Sequence, residues 1–236
     1  MKGGTTVVAG TVVDTLVIAM DGTAGSGKSS ASRGVARALG LRYLDTGAMY
    51  RAMTWQMLLA GVDVYDAEAV AARAESARIE SGTDPTHPTI TLDGRDVSRE
   101  IRTGEVNVAV SPVSAVPRVR ELLAAHQRGI IGAGGIVVEG RDIGTVVAPD
   151  AALKIYLSAD PVARAERRAA EMASDEARDV SVVKAALVAR DAYDSSRVTA
   201  PLSAAADAVR LDTTDLTLEQ VIAHIVDLAR TRTSRV

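Results

Sequence analysis

The stretch Gly22-Thr23-Ala24-Gly25-Ser26-Gly27-Lys28-Ser29 follows an apolar run, Leu16-Val17-Ile18-Ala19-Met20, and opens a segment whose apolar residues recur at helical spacing. It matches the pattern G-x-x-x-x-G-K-[ST] in the context that gives that pattern meaning, a buried strand before it and a helix after it. The glycines let successive backbone N–H groups converge on phosphate oxygens, and the start of the helix adds the positive end of its dipole. The Lys28 ammonium is placed to reach the β and γ phosphates of a nucleotide, Ser29 to ligate Mg²⁺, and Ser30 continues the cradle. The bland alternative, a glycine-rich turn that only joins two elements, requires neither flank.

Such a loop identifies a nucleotide, not a reaction, and the rest of the chain narrows the class by exclusion. A GTPase needs a guanine-reading Asn-Lys-x-Asp, whereas the one asparagine here, Asn107, is followed by Val108. There is no LSGGQ-like signature of a transport ATPase, and 236 residues leave no room for helicase motifs. With Cys 0 there is no disulfide framework, thiol nucleophile or thiolate-held metal. Three histidines, at positions 87, 126 and 224, make a His-centred metal site improbable. Phe 0, one Trp and five Tyr argue against a platform for stacking single-stranded nucleic acid, and a net charge of −3 supplies no global basic field for nucleic acid or anionic lipid. Any anion site must therefore be local. The lysines are Lys2, Lys28, Lys154 and Lys184, so most of the 27 cations are arginines, either through codon bias or because planar guanidinium forks grip phosphate. A small phosphotransferase is the class left standing.

Strand signals return at Gly135–Glu139, Leu153–Leu157 and Ala208–Leu211, with helical patterns between them, so the expected fold is α/β, a P-loop NTPase-type parallel sheet flanked by helices. Gly40 is expected to cap the first helix. Asp160-Pro161 starts an Arg-rich helix, and Thr217-Leu218-Glu219-Gln220 is a capping box opening a last helix with Leu218, Val221, Ile222, Ile225 and Leu228 on one stripe. Residues 78–98 alternate like a short antiparallel hairpin or meander and read as a β insert. The segment Asp175–Ser181 reads as a mobile loop, and residues 1–14 as a mobile tail. The apolar stretch Val7–Met20 is interrupted and lacks signal-peptide flanks, so no membrane anchor and a cytoplasmic location are expected. No exposed apolar stripe demands a partner, so a monomer is expected.

Two further motifs carry a resemblance. Leu44-Asp45-Thr46-Gly47-Ala48-Met49-Tyr50-Arg51 and Gly140-Arg141-Asp142-Ile143-Gly144-Thr145-Val146-Val147, taken with the P-loop, closely resemble the bacterial cytidylate kinase family of nucleoside monophosphate kinases. The likeness continues through Ser111, Pro117–Arg120, Pro149–Ala151 and Arg190–Pro201, and covers nearly everything from residue 16 onward. It implies transfer of a phosphoryl group from ATP to CMP or dCMP with Mg²⁺, and a single kinase domain over 1–236. Within that domain the core would span about 15–45, 113–165 and 201–236, an acceptor-binding subdomain about 46–112, and a lid about 166–200.

By the same resemblance Arg51, Arg141 and Arg197 would hold the acceptor phosphate, Arg190 and Asp194 the ribose, and Ser111, Arg120 and Asp142 the base, with Thr46 beside them. The chemistry is coherent. Cytosine shows an N4 amino donor beside N3 and O2 acceptors, so a carboxylate and a guanidinium match it, whereas uracil inverts two of those groups. Arg167 is the expected phosphate or adenine contact, with Arg164 and Arg168 as neighbours the sequence does not separate from it. Tyr193 and Ser195 stand where the family is often charged. Lys28, Arg141, Arg190 and Arg197 are the expected catalytic cations, and Asp21 reads as a turn residue in preference to a metal neighbour. Two rivals remain: another P-loop small-molecule kinase, such as one for shikimate or gluconate, and a non-catalytic nucleotide sensor that would bind ATP without turnover.

Overall fold

A computed structural model of the chain describes residues 15–171, 179–197 and 199–233. The expected tail at 1–14 and most of the expected loop at 175–181 lie outside them. The chain opens β1 (Val17–Gly22), α1 (Lys28–Leu39), β2 (Arg42–Asp45), α2 (Thr46–Leu59) and α3 (Ala67–Ala74). A small antiparallel sheet follows, β3 (Ile79–Ser81), β4 (Ile90–Leu92) and β5 (Arg95–Asp96), then α4 (Gly104–Ala115) and α5 (Pro117–Ile131). The remainder is β6 (Ile136–Glu139), β7 (Leu153–Ser158), α6 (Pro161–Glu171), α7 (Val180–Ser196), β8 (Val209–Asp212) and α8 (Leu218–Thr233).

The main sheet has five strands in the order β2-β6-β1-β7-β8, and every pairing is parallel. Alternate residues of each central strand feed opposite faces, as strand geometry requires. Ile18 and Met20 pack with Val35 of α1 and with Val221 and Ile225 of α8, whereas Ala19 packs on the other side with Met49, Met53, Val119 and Val138. Helices thus cover both faces, which is what parallel strands apolar on both sides need. The carboxyl ends of β1, β2 and β6 converge on one edge, the usual ligand edge of an open α/β sheet.

Four strands were expected and the sheet has five. The addition, β2, is short, with only Tyr43 and Leu44 apolar and fully buried, so it carries little sequence signal of its own. Its stability comes from elsewhere: it pairs with β6, and the Arg42 guanidinium donates to the carbonyls of Ile130, Ile131 and Gly134 at 2.7–2.9 Å, tying off the end of α5. The small sheet leans on the same edge, because Tyr43 N–H donates to Thr83 O and Arg33 Nε to Pro85 O.

The local signals act as their chemistry requires. Gly40 caps α1 in the left-handed region at φ 66°. Thr217 and Gln220 exchange the two bonds of a capping box. The α8 stripe is shifted: Val221, Ile225, Val226 and Ala229 are buried, while Leu218 is 40% exposed. Among the described residues no helix is long and apolar enough to cross a membrane.

Candidate active site

The P-loop is shaped by its first glycine. Gly22 holds φ 142°, and a Cβ there would fall 2.0 Å from the carbonyl oxygen of Leu157 on β7, so the turn closes this tightly only without a side chain. Thr23 O accepts from Ser26 Oγ at 2.9 Å and from Lys28 Nζ at 2.8 Å, so Thr23 and Ser26 serve the loop's shape. Burial, with Arg141 nearby, pushes Lys28 down to about 7. Its one hydrogen bond is to a neutral carbonyl, and the buried carboxylates of Glu139 and Asp21 offset only part of the cost of burial.

The main cavity opens from this floor. The P-loop lines it with Ala24, Gly25, Gly27, Lys28, Ser29 and Ser30; α2 and the residue before it with Asp45, Thr46, Tyr50 and Arg51; and the segment after β6 with Gly140, Arg141 and Asp142. Arg168 from α6, Arg190 and Asp194 from α7, and Arg197 close it. Asp194 is almost wholly buried and organises that wall: its carboxylate pairs with Arg141 Nε at 3.1 Å, with Arg190 at 3.9 Å and with Arg197. Burial and the neighbouring Arg141 push Arg190 down to about 10, and burial beside Arg190 pushes Arg51 down to about 9. Arg51 is braced by Asn107 Oδ1 at 2.7 Å and by Ile101 O at 3.0 Å. Crowded cations of this kind suit a dianion.

Deeper on the same wall Arg120 and Asp142 form a buried ion pair through Asp142 Oδ2, with Arg120 also donating to Ser114 O at 3.1 Å. The Arg120 guanidinium lies over the Tyr50 ring, 5.5 Å from its centroid. Asp142 sits at the head of a single π-helical turn, Ile143–Val147. That turn is pinned by Asp21, whose two carboxylate oxygens accept from Ile143 N–H and Gly144 N–H at 2.8 Å each. Asp21 is therefore a backbone clamp between the strand feeding the P-loop and the turn carrying Asp142. Burial raises its pKa to about 6 even against those two donors.

A second, smaller cavity lies on the outer side of the P-loop. It is lined by Gly25, Ser26, Gly27, Ser30 and Ala31, by Arg167, and by Thr213, Leu216, Leu218 and Val221. The Arg167 guanidinium is held by Thr213 O at 2.6 Å and Thr214 O at 3.1 Å.

The cytidylate kinase family model matches residues 18–231. Over 220 residues the chain is 57% identical to the cytidylate kinase of Streptomyces griseus subsp. griseus, a match covering 92% of this chain and 94% of that one. It is 55% identical over 218 residues to that of Streptomyces avermitilis (92% and 93% covered) and 52% over 219 residues to that of Mycolicibacterium paratuberculosis (92% and 96%). The chain belongs to the cytidylate kinase family. Family membership makes it a phosphotransferase that phosphorylates CMP and dCMP and draws the phosphoryl group from a nucleotide.

The cavities gather most of the expected residues. Arg51, Thr46, Arg120, Arg141, Asp142, Arg190, Asp194 and Arg197 meet in the main cavity with Lys28, Ser29 and Ser30. Ser111 does not line it; Ser114, nearly one turn further along α4, does. The three arginines of α6 separate: Arg164 is buried against Ala24 O and Asp191, Arg167 faces the outer cavity, and Arg168 the main one. Tyr50 and Glu139 are among the lining residues to which the sequence reading gave no role. Tyr50 is an aromatic ring beside the Arg120–Asp142 pair in a chain with few rings. Glu139, the last residue of β6, is 3% exposed and lines the same cavity as Ser29. A lone carboxylate ending a central apolar strand next to a P-loop was the available signal for Glu139.

The donor set around Ser29 also fits a divalent cation. A serine hydroxyl and one carboxylate are hard oxygen ligands of the kind Mg²⁺ uses when phosphates and water complete its shell. Among the described residues no group of three or more His, Cys, Asp or Glu side chains could hold a metal ion.

Proposed function

We propose that the chain transfers the γ-phosphoryl group of Mg²⁺-bound ATP to CMP or dCMP in the cytoplasm, with the donor on the P-loop and the acceptor in the main cavity. The observation that carries this reading is the buried Arg120–Asp142 pair, which faces the same cavity as the arginine wall and Lys28. Asp142 Oδ2 is engaged by Arg120, which leaves Oδ1 to accept from the cytosine N4 amino group while Arg120 donates toward N3 or O2. Arg51, Arg141 and Arg197 hold the acceptor phosphate, and Arg190 with Asp194 faces the ribose. The outer cavity takes adenine, between Arg167 and the apolar side chains of Leu216, Leu218 and Val221.

An oxygen of the acceptor phosphate attacks the γ-phosphorus, the bond to the β,γ-bridging oxygen breaks, and ADP carries that oxygen's charge away. No general base is needed, because a phosphate monoester is already an anion at neutral pH. Mg²⁺, when bound, neutralises charge on the β and γ oxygens. Ser29 would hold it directly and Glu139 through water. Lys28 and the arginines stay fixed while charge moves between them, so the protein contributes position and preorganised charge. We assign residues 46–112 to acceptor binding and 166–200 to a lid whose arginines exclude water.

A coupled assay across CMP, dCMP, UMP, AMP and shikimate tests the reading. CMP and dCMP are expected to turn over, with UMP lower by about two orders of magnitude or more in kcat/KM. Equal turnover of UMP and CMP would refute the base assignment, turnover of shikimate would transfer the chain to another kinase class, and ATP binding without turnover would make it a sensor.

A further inference from the structure

Tyr43 has no place in the reading so far, yet its surroundings are unusual for a core residue. It is 1% exposed on β2, packed among Met20, Val35 and Val137, and its hydroxyl donates to Glu139 Oε1 across the β2–β6 ladder at 2.5 Å. Strand register makes this reach natural: Tyr43 lies opposite Val137, so a ring leaning along the strand ends beside residue 139. Glu139 in turn lines the main cavity together with Ser29, which stands in the first turn of the helix after the P-loop. The phenol thus holds from the apolar core a carboxylate that reaches the cavity floor where Ser29 stands. A carboxylate held only from the cavity side would be free to rotate when phosphates and a cation arrive. Held from behind, it presents one oxygen in one place.

We propose that Tyr43 is a positioning residue for the donor's divalent cation: its hydroxyl fixes the Glu139 carboxylate so that the remaining oxygen faces Ser29 and the cation-bearing phosphates. This rests on the assignment of Ser29 and Glu139 to the cation made above. A purely structural phenol, by contrast, would affect folding and the affinity for both substrates alike.

The test is calorimetric binding of ATP to the full chain, with Mg²⁺ and with chelator, in wild type, Tyr43→Phe, Glu139→Gln and the double variant, with CMP binding measured beside it. Phenylalanine keeps the ring and removes only the donor. The gain in ATP affinity on adding Mg²⁺ is expected to shrink about tenfold in Tyr43→Phe, the size of a lost hydrogen bond to a charged group. Affinity for ATP in chelator and for CMP should stay within twofold. The double variant should lose no more than the more impaired of the two single variants, because both act through one carboxylate. If Tyr43→Phe leaves the Mg²⁺ effect intact while Glu139→Gln reduces it, the role of Tyr43 is overturned and the cation assignment stands. If Glu139→Gln leaves it intact too, the cation assignment falls as well. Equal losses for CMP, for ATP in chelator and for ATP with Mg²⁺ would mark a structural role and overturn the proposal. Should the Phe variant not fold, Tyr43→Met, also without a donor, is read by the same criteria.

Discussion

On the floor of the main cavity the positive charge is one ammonium resting on a neutral carbonyl, Lys28 on Thr23 O. On the facing wall it is three guanidinium groups, Arg141, Arg190 and Arg197, gathered around the single carboxylate of Asp194. The wall is partly compensated before any substrate binds, and its cations are held as planar forks in fixed places. The floor is desolvated, and its ammonium feels the buried carboxylates of Glu139 and Asp21 without the paired geometry of the wall. A buried charge without a full partner is costly in the free protein and strengthens every interaction with an incoming anion. The wall is thereby suited to recognising a dianion by shape, and the floor to stabilising charge that develops during transfer.

The largest expected effect separates these two roles. Lys28→Ala should lower kcat by about a thousandfold, roughly 4 kcal/mol of transition-state stabilisation, with the CMP KM changed less than threefold. Loss confined to the CMP KM would break the comparison, and transfer within about tenfold of wild type would end the mechanistic reading of the floor.

Asp21 joins floor and wall, and its pH dependence sharpens the comparison next. Its carboxyl is raised from 3.8 to about 6, chiefly by burial. The folded state therefore holds this proton more tightly than the unfolded chain. The resulting stability is fully present below about pH 4 and is lost as pH rises through about 6, to an order of 3 kcal/mol at 1.36 kcal/mol per unit. Asparagine has no such titration, and its amide would turn a donor toward one of the two N–H groups it must satisfy. Melting of wild type and Asp21→Asn from pH 4 to 8 should show the wild-type advantage greatest at the acid end and reduced by about that amount above pH 6.5. A gap constant with pH would show that the two backbone donors hold Asp21 ionised throughout.

On the wall, Asp142→Ala should raise the CMP KM about thirtyfold, near 2 kcal/mol for a hydrogen bond to a charged group, and leave the ATP KM within twofold. It also strands the buried Arg120, so the melting temperature should fall with it. Equal shifts in both KM values would mean that Asp142 supports the whole cavity and does not read the base.

These tests follow lines the sequence drew unevenly. The floor was legible because a P-loop is contiguous: eight neighbouring residues carry loop, dipole and ammonium together. The wall was legible only through motif likeness, since Arg51, Arg120, Arg141 and Arg197 come from four separate segments and nothing in their spacing says that they meet. Ser111 was named by that likeness alone, and in the structure Ser114 lines the cavity in its place. It and Ser114 lie nearly a turn apart on a helix that contains Pro112, and which of them turns inward is decided by packing of α4 against its neighbours. Glu139 was in view as the end of a strand pattern and passed over. Tyr43 carried no signal at all, because a buried aromatic on a short strand reads as core until its hydroxyl is seen to have a partner.

The smallest effect concerns the donor side alone. Arg167 is tied by its guanidinium to Thr213 and Thr214, so it is a fixed surface beside the outer cavity and not a free arm. A guanidinium plane stacked on a purine contributes about 1 kcal/mol at a partly exposed site. Arg167→Ala should therefore raise the ATP KM about fivefold to tenfold with kcat and the CMP KM nearly unchanged. GTP, whose larger polar edge meets Leu216 and Leu218, should remain a poorer donor in both proteins. A fall in kcat without a change in the ATP KM would instead move Arg167 to the transferring phosphates, and the floor would then hold a second cation that acts only in the transition state.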